Sequence, residues 1–271
     1  MADPSPTAPL PTAAYRRWLA AQRRDGIVVH VIQVLIVVVF FVVWEIAARS
    51  HWVNPLFTSY PTAVWAGFAA MVAEGELLHH VLVTIVEIVV SFVLSTLVGL
   101  ALAVLLWLTP MLRRVMAPFI VVVNAIPKIA LVPIFYIWLG PVLSIYMIAV
   151  SVSIFIVLIM MSAGFEQTDP NKIKLARTFG CTQWQLLTKV VLPANMPTLI
   201  SVLKGNVGLS LVGVIVGEFQ SAKAGLGYLI TYGSQTFQMD RVIASVTILA
   251  VISVFTYFAI VAFEKALARY T

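Results

Sequence analysis

Few side chains in this sequence can do chemistry, and most of them lie inside apolar runs. Lys128 stands in VVVNAIPKIALVPIF, four residues after Asn124 and between Pro127 and Pro133. An ammonium facing lipid at mid-span would cost about 2.5–3.5 kcal/mol, so Lys128 is expected to face protein or water. There it could pair with an anionic solute. Lys204, near Asn206 and Ser210, raises the same question from a position nearer the end of its run, where it could also snorkel. Asn124, Lys128, Lys204, Asn206 and Ser210 are therefore the candidate lining of a solute pathway. Glu45 and Glu87 fall close to the outer ends of their runs and read as satisfied interfacial carboxylates.

Catalytic chemistry finds no support. The sequence has no G-x-x-x-x-G-K-[ST] phosphate loop, no H-E-x-x-H and no G-x-S-x-G. His79 and His80 are adjacent, a poor arrangement for one helical metal site. The single cysteine, Cys181, allows no intrachain disulfide and reads as an inert thiol. Pumped transport would need its energy from a separate subunit.

The elements that must position these residues are membrane spans. Hydrophobic residues make up 61% of the 271 and charged residues 10%, against about 25% charged in an average soluble domain; the mean hydropathy is +1.02. A spanning helix needs about 20 mostly apolar residues. Six stretches qualify: 27–47, 82–108, 116–139, 141–163, 195–217 and 242–263. The expected fold is an all-α membrane protein of six transmembrane helices over 27–265, with a flexible N-terminal tail over 1–26 and a short C-terminal tail over 266–271. The run from Ile27 is longer than a signal core and follows a long leader, so it reads as an uncleaved anchor.

Orientation follows from the basic residues. With the N-terminus inside, 12 of the 17 lysines and arginines fall on the cytoplasmic side and three on the outer side, a positive-inside bias that places both termini in the cytoplasm. The net charge of +6 is thus topology, and no nucleic-acid partner is expected. Ser91, Ser95, Gly99 and Ala103 recur every four residues, as do Gly213 and Gly217. Such small-residue stripes let helices approach closely.

Between the fourth and fifth spans lies a polar, sharply punctuated loop, 165–193. Asp169 can cap a helix with Pro170 at its first position, and Gly180 can end that helix in a left-handed conformation. Thr182 and Gln185 have capping-box spacing, so a second helix should start at once and stop at Pro193. The product is a rigid helix–glycine–helix elbow.

This elbow resembles the EAA loop of the permease subunits of bacterial ABC importers. Lys174, Leu175 and Ala176 stand at the E-A-A positions, Gly180 at the glycine, Val190 at the isoleucine, and Leu192 with Pro193 close the motif. Lys174 and Leu175 depart from the pattern; the spacing does not. The runs AIPKIALVPIFYIWLG (125–140) and VGEFQSAKAGLGYLI (216–230) are similar to segments of permeases for nitrate, taurine and alkanesulfonates. Glu87 stands where that branch commonly has arginine.

The resemblance implies a type I ABC importer permease in the bacterial inner membrane. It implies two copies, as a homodimer, a cytoplasmic ABC ATPase dimer that binds ATP and magnesium, and an extracytoplasmic solute-binding protein. This chain would itself bind no cofactor. The lever would run from Asp169 to Phe179, pivot at Gly180, and join the fifth span through Leu192 and Pro193. A small anion (sulfonate, taurine, nitrate or a carboxylate) is the expected solute, and a neutral or cationic vitamin or precursor, such as a thiamine precursor or riboflavin, is the alternative. A secondary transporter is disfavoured, because coupling to protons or sodium would call for acidic residues deep in the bundle. A helix-turn-helix reading of the elbow fails because spans tether both its ends.

Overall fold

Long apolar runs can satisfy their backbone in a bilayer only by hydrogen bonding within the segment, and every regular element among the described residues is helical. The computed structural model describes the backbone of residues 13–221 and 223–267 and the side chains of residues 22, 24–220 and 223–262. Residues 1–12 and 268–271 of the two expected tails, and the side chains of Arg16, Arg17, Arg23 and Lys265, lie outside the described residues. The chain divides into two compact units, one up to Ala63 and one from Val64.

In the first unit, α1 (Ala13–Arg49) passes Ile27 without a break, so helix already occupies residues 13–26 of the expected tail. Its apolar side chains from Ile27 to Val43 are exposed. Beyond it comes the single turn α2 (Pro55–Thr58). Glu45 is satisfied, as expected: Oε1 accepts from Arg49 Nε at 2.6 Å and Thr62 Oγ1 at 2.7 Å, and Oε2 from the Thr62 N–H at 3.1 Å.

The second unit holds α3 (Pro61–Ala73), which begins just before it, α4 (Leu77–Leu108), α5 (Pro110–Ala125), α6 (Val132–Glu166), α7 (Pro170–Thr178), α8 (Gln183–Leu186), α9 (Leu192–Ala194), α10 (Met196–Ser221), α11 (Leu226–Gln235) and α12 (Met239–Leu267). Five described helical stretches are long and apolar enough to cross a membrane: Arg24–Arg49, Leu77–Leu108, Lys128–Glu166, Met196–Gln220 and Met239–Ala262.

The expected span at 116–139 is not one helix. Proline restricts the residue before it, and Ile126 is extended at φ −63° and ψ 131°, which ends α5. A 3₁₀ turn at Lys128–Leu131 follows, and α6 starts with Pro133 in its first turn, where a missing N–H is harmless. At Gly140, with φ 77° and ψ 179°, α6 breaks before Pro141. The chain then doubles back: Lys128 Nζ lies 4.9 Å from the Phe155 ring centroid, and Arg113 Nη1 lies 2.6 Å from Glu166 Oε1. The expected third and fourth spans are thus two antiparallel arms, the first of them in pieces.

The small-residue stripes are helix contacts. Ser91, Ser95, Gly99 and Ala103 are all buried on α4. A Cβ on Gly99 would lie 2.8 Å from the Val157 Cβ, one on Gly213 2.5 Å from the Ala149 Cα, and one on Gly217 2.9 Å from the Ile145 Cα. So α4 and α10 both press against α6 at backbone distance. Gly213→Val should lower the melting temperature in detergent markedly, since overpacking typically costs about 1–3 kcal/mol and here a backbone atom blocks the way. Gly208→Ala meets open space and should leave the melting temperature unchanged or raise it. Equal melting of Gly213→Val and the native chain would contradict this packing.

Candidate coupling elbow and membrane-interior site

The elbow forms from its caps. Asp169 Oδ1 accepts the Asn171 N–H at 2.8 Å, with Pro170 opening α7. At the other end the Gly180 N–H donates to Arg177 O at 3.0 Å and the Cys181 N–H to Ala176 O at 3.2 Å, with Gly180 at φ 75°. That pair of bonds is a Schellman motif, which requires the left-handed residue. The capping box closes both ways: Thr182 Oγ1 accepts the Gln185 N–H at 3.2 Å, and Gln185 Oε1 accepts the Thr182 N–H at 2.9 Å.

Pro193 does not stop the second helix as expected. Residues Leu187–Val191 form a π turn in which the Leu192 N–H donates to Leu187 O. With Pro193 in the first turn of α9, its missing N–H is harmless, and the path runs through Asn195 into α10. Leu192 and Pro193 therefore join the elbow to α10 in one nearly continuous helical path.

The two faces of the elbow differ. Ile173, Ala176, Val190 and Leu192 pack against a core that contains Leu186, Leu187 and Val191 together with Ala103, Val157, Phe165 and Val202. Lys174 is exposed on the other face, with Leu175 at 58%, Phe179 at 78% and Trp184 at 60% exposure. Large apolar side chains are thus held out on a polar segment whose other face is rooted in the core. A clamp that the sequence reading missed closes the elbow's base: Asn195 Nδ2 donates to Thr168 Oγ1 at 2.9 Å and to Val191 O at 2.8 Å. Gly164 leaves room for it, since a Cβ there would lie 2.6 Å from Asn195 Oδ1.

The candidate pathway residues do not assemble into one site. Asn124 and Lys128 meet: Lys128 Nζ donates to the Asn124 carbonyl and lies 3.5 Å from its Oδ1. Asn206 and Ser210 are wholly buried inside the bundle, in a seam where Asn206 Nδ2 donates to Ser95 Oγ at 3.0 Å and Thr96 Oγ1 at 2.9 Å. Asn206 thus faces α4. Lys204 is half-buried on α10.

Glu87 corrects the reading of an interfacial carboxylate. It is 5% exposed and Glu218 on α10 is 1% exposed, and the two carboxyl groups are neighbours. Glu218 Oε1 accepts from Thr84 Oγ1 at 2.6 Å and Oε2 from the Gly227 N–H at 2.5 Å. The Leu226 N–H donates to Thr84 Oγ1 at 2.8 Å and the Gly225 N–H to His80 Nδ1 at 3.0 Å. Deep acidic residues, expected to be missing, are therefore present. The one legible sign was Glu87 itself, standing where arginine is common.

Residues 95–269 match the family described as the binding-protein-dependent transport system inner membrane component. The chain belongs to this family. The permease is 33% identical over 229 residues to a probable ABC transporter permease protein of Haemophilus influenzae, covering 83% of this chain and 92% of that one. It is 25% identical to the putative aliphatic sulfonates transport permease protein SsuC of Bacillus subtilis, with 87% and 86% covered, and 28% identical to the formylaminopyrimidine transport permease protein ThiX of Halalkalibacterium halodurans, with 86% and 93% covered. Its fold matches a chain of the inward-facing MetNI methionine ABC transporter at a TM-score of 0.62 and 19% identity, over 72% of the permease and 97% of that chain. Proteins of this family are transport subunits rather than enzymes, and the family, not a lack of deep acids, is what sets the secondary-transporter reading aside.

Replacing Asn195 with Leu removes both clamp bonds and strands Thr168. Hydrogen exchange should then quicken about ten-fold across residues 170–190, the size of a lost buried hydrogen bond of about 1–3 kcal/mol, while the core of α10 stays protected. Unchanged elbow exchange would show that the clamp does not hold it.

Proposed function

We propose that this permease forms the membrane path of an ABC importer and takes its drive from a separate ATPase through the 165–193 elbow. The observation that carries the reading is the elbow's construction: Asp169, Pro170 and Gly180 set a stiff α7, and Leu175 and Phe179 project from it while its second half is rooted in the core. A groove on the ATPase would receive the exposed face around Lys174, Leu175 and Phe179, with Ala176 turned inward. ATP and magnesium belong to that partner. Pushing on α7 would turn the whole continuous path from Leu186 through Pro193 into α10, a rigid-body switch between two access states.

The elbow end is cytoplasmic on this reading, as are both termini, and the broken arm at 116–139 crosses as a sixth span. Irregular backbone at membrane depth is tolerated where it is buried in protein or lines a cavity, which fits a path between two identical copies. A solute-binding protein would deliver to the far end.

For the solute, anion pairing rests on Lys128 and Lys204. The Lys128 ammonium, however, already has the Asn124 carbonyl and the Phe155 ring as partners. That favours the other class, a neutral or cationic solute, and relatives named for formylaminopyrimidine and riboflavin transport make that class familiar in this family.

Replacing Leu175 and Phe179 together with Asp should leave the chain in the membrane at normal amount and cut the co-purifying ATPase at least about ten-fold, or 1.4 kcal/mol of docking energy. Full ATPase recovery with the double variant would remove the elbow from the coupling role.

A further inference from the structure

At the base of the elbow, where the long apolar stretches of α4 and α6 both end, lies a cavity of about 400 Å³. Its floor is apolar, with Trp107 and Leu108 from the last turn of α4 packed against the core. Its rim is charged. Arg113 on α5, Glu166 at the end of α6 and Arg177 on α7 line it, together with Gln183 at the start of α8. Arg113 Nη1 lies 2.6 Å from Glu166 Oε1. That ion pair takes up the one carboxylate among the described lining residues, and no described carboxylate lies within ion-pairing distance of Arg177. The cavity therefore sets two guanidinium groups against a single carboxylate.

We infer that this cavity holds the phosphate diester headgroup of an anionic phospholipid, bound by Arg113 and Arg177. Charge sets the class. One diester brings a single negative charge and makes the cavity neutral, whereas a phosphate dianion would overshoot and press on Glu166. Guanidinium groups match phosphate oxygens through parallel N–H donors, and Arg113 keeps donors beyond the nitrogen that meets Glu166. Position gives the source. A cavity at the level where two spans end lies at the bilayer surface, and basic pockets between spanning helices at that level take lipid headgroups. Trp107 stands at the same depth, where tryptophan favours the membrane–water boundary. With Leu108 it offers an apolar wall that the glycerol and first methylenes of a lipid cover and that a soluble ion leaves bare. Since Arg113 stands just after the α4–α5 corner and Arg177 on α7, the bound headgroup ties the elbow to the bundle. Leu175 and Phe179, the proposed ATPase contact, are not among the described lining residues, so the site does not depend on the coupling role.

The test is native mass spectrometry of the purified full chain in detergent, titrated separately with dioctanoyl phosphatidylglycerol, dioctanoyl phosphatidylcholine and sodium phosphate. Phosphatidylglycerol should bind saturably, with phosphatidylcholine and free phosphate each weaker by about ten-fold or more, the ratio that a hydrogen bond to a charged group supplies. Arg177→Gln, at an exposed position, should weaken phosphatidylglycerol binding by about the same factor. Lys172→Gln removes an equal charge from α7 outside the cavity and should bind as the native chain does. Gln183→Trp, which fills the cavity and leaves every charge in place, should lose as much as Arg177→Gln. Four results would each overturn the inference: equal binding of the two lipids, free phosphate bound as tightly as phosphatidylglycerol, equal losses with Lys172→Gln and Arg177→Gln, or native binding by Gln183→Trp. Because no ATPase takes part, any of these failures leaves the coupling role standing, and loss of ATPase docking leaves this site standing.

Discussion

Close approach between helix backbones is the constraint on which the bundle rests. Within a bilayer the lipid tails are as apolar as the side chains, so helices gain little from burying apolar surface and associate through packing contact instead. Here α6 is the common partner. Gly99 brings α4 to it, and Gly213 and Gly217 bring α10. With those three positions occupied by hydrogen alone, the polar groups between α4 and α10 come within hydrogen-bond reach: Asn206 with Ser95 and Thr96, and Glu218 with Thr84. A methyl group at Gly213 would force α6 and α10 apart and loosen both the seam and the carboxyl pair.

From that frame the two ends of the bundle follow. At one end the elbow's second half is packed into the same core as α4, α6 and α10, so displacement of α7 is borne by the bundle rather than absorbed in a loose loop. At the other end the Gly225–Gly227 loop wraps Glu218. A Cβ at Gly225 would lie 2.4 Å from the Glu218 Cδ, and its φ of 110° is open to glycine alone. The loop thus takes its shape from the carboxylate it encloses.

Local chemistry in the sequence was readable where it is decided locally. Asp169, Gly180 and the Thr182–Gln185 pair act within a few residues of themselves, and each makes the bond its spacing implies. The stripes at Ser91–Ala103 and Gly213–Gly217 were legible for a related reason, since helical period puts them on one face before any partner is known. What stayed hidden depends on partners far along the chain. Glu87 and Glu218 lie 131 positions apart, and nothing near Glu87 marks it as buried beside a second carboxyl group. The polarity of Asn206 in an apolar run does not reveal that Ser95 and Thr96 on a neighbouring helix are its partners. Pro193 looked like a stop because the π turn that accommodates it is set by the packing of Leu187 and Val191. The 116–139 arm carried its own warning in Pro127 and Pro133, but hydropathy sums over a break that the prolines impose.

The Thr168–Asn195 bond joins the start of the elbow to the first residues after it. The segment is therefore a closed loop in the mechanical sense, stapled at its neck. A single cut at its tip, between Gly180 and Cys181, would divide the covalent chain and free the Cys181 N–H from the α7 cap, but leave each half seated by its remaining caps and by the apolar contacts beneath. The nicked protein would run as two fragments once denatured, yet travel as one particle while folded. Covalent continuity at the hinge and mechanical integrity of the lever are, in this architecture, separate properties.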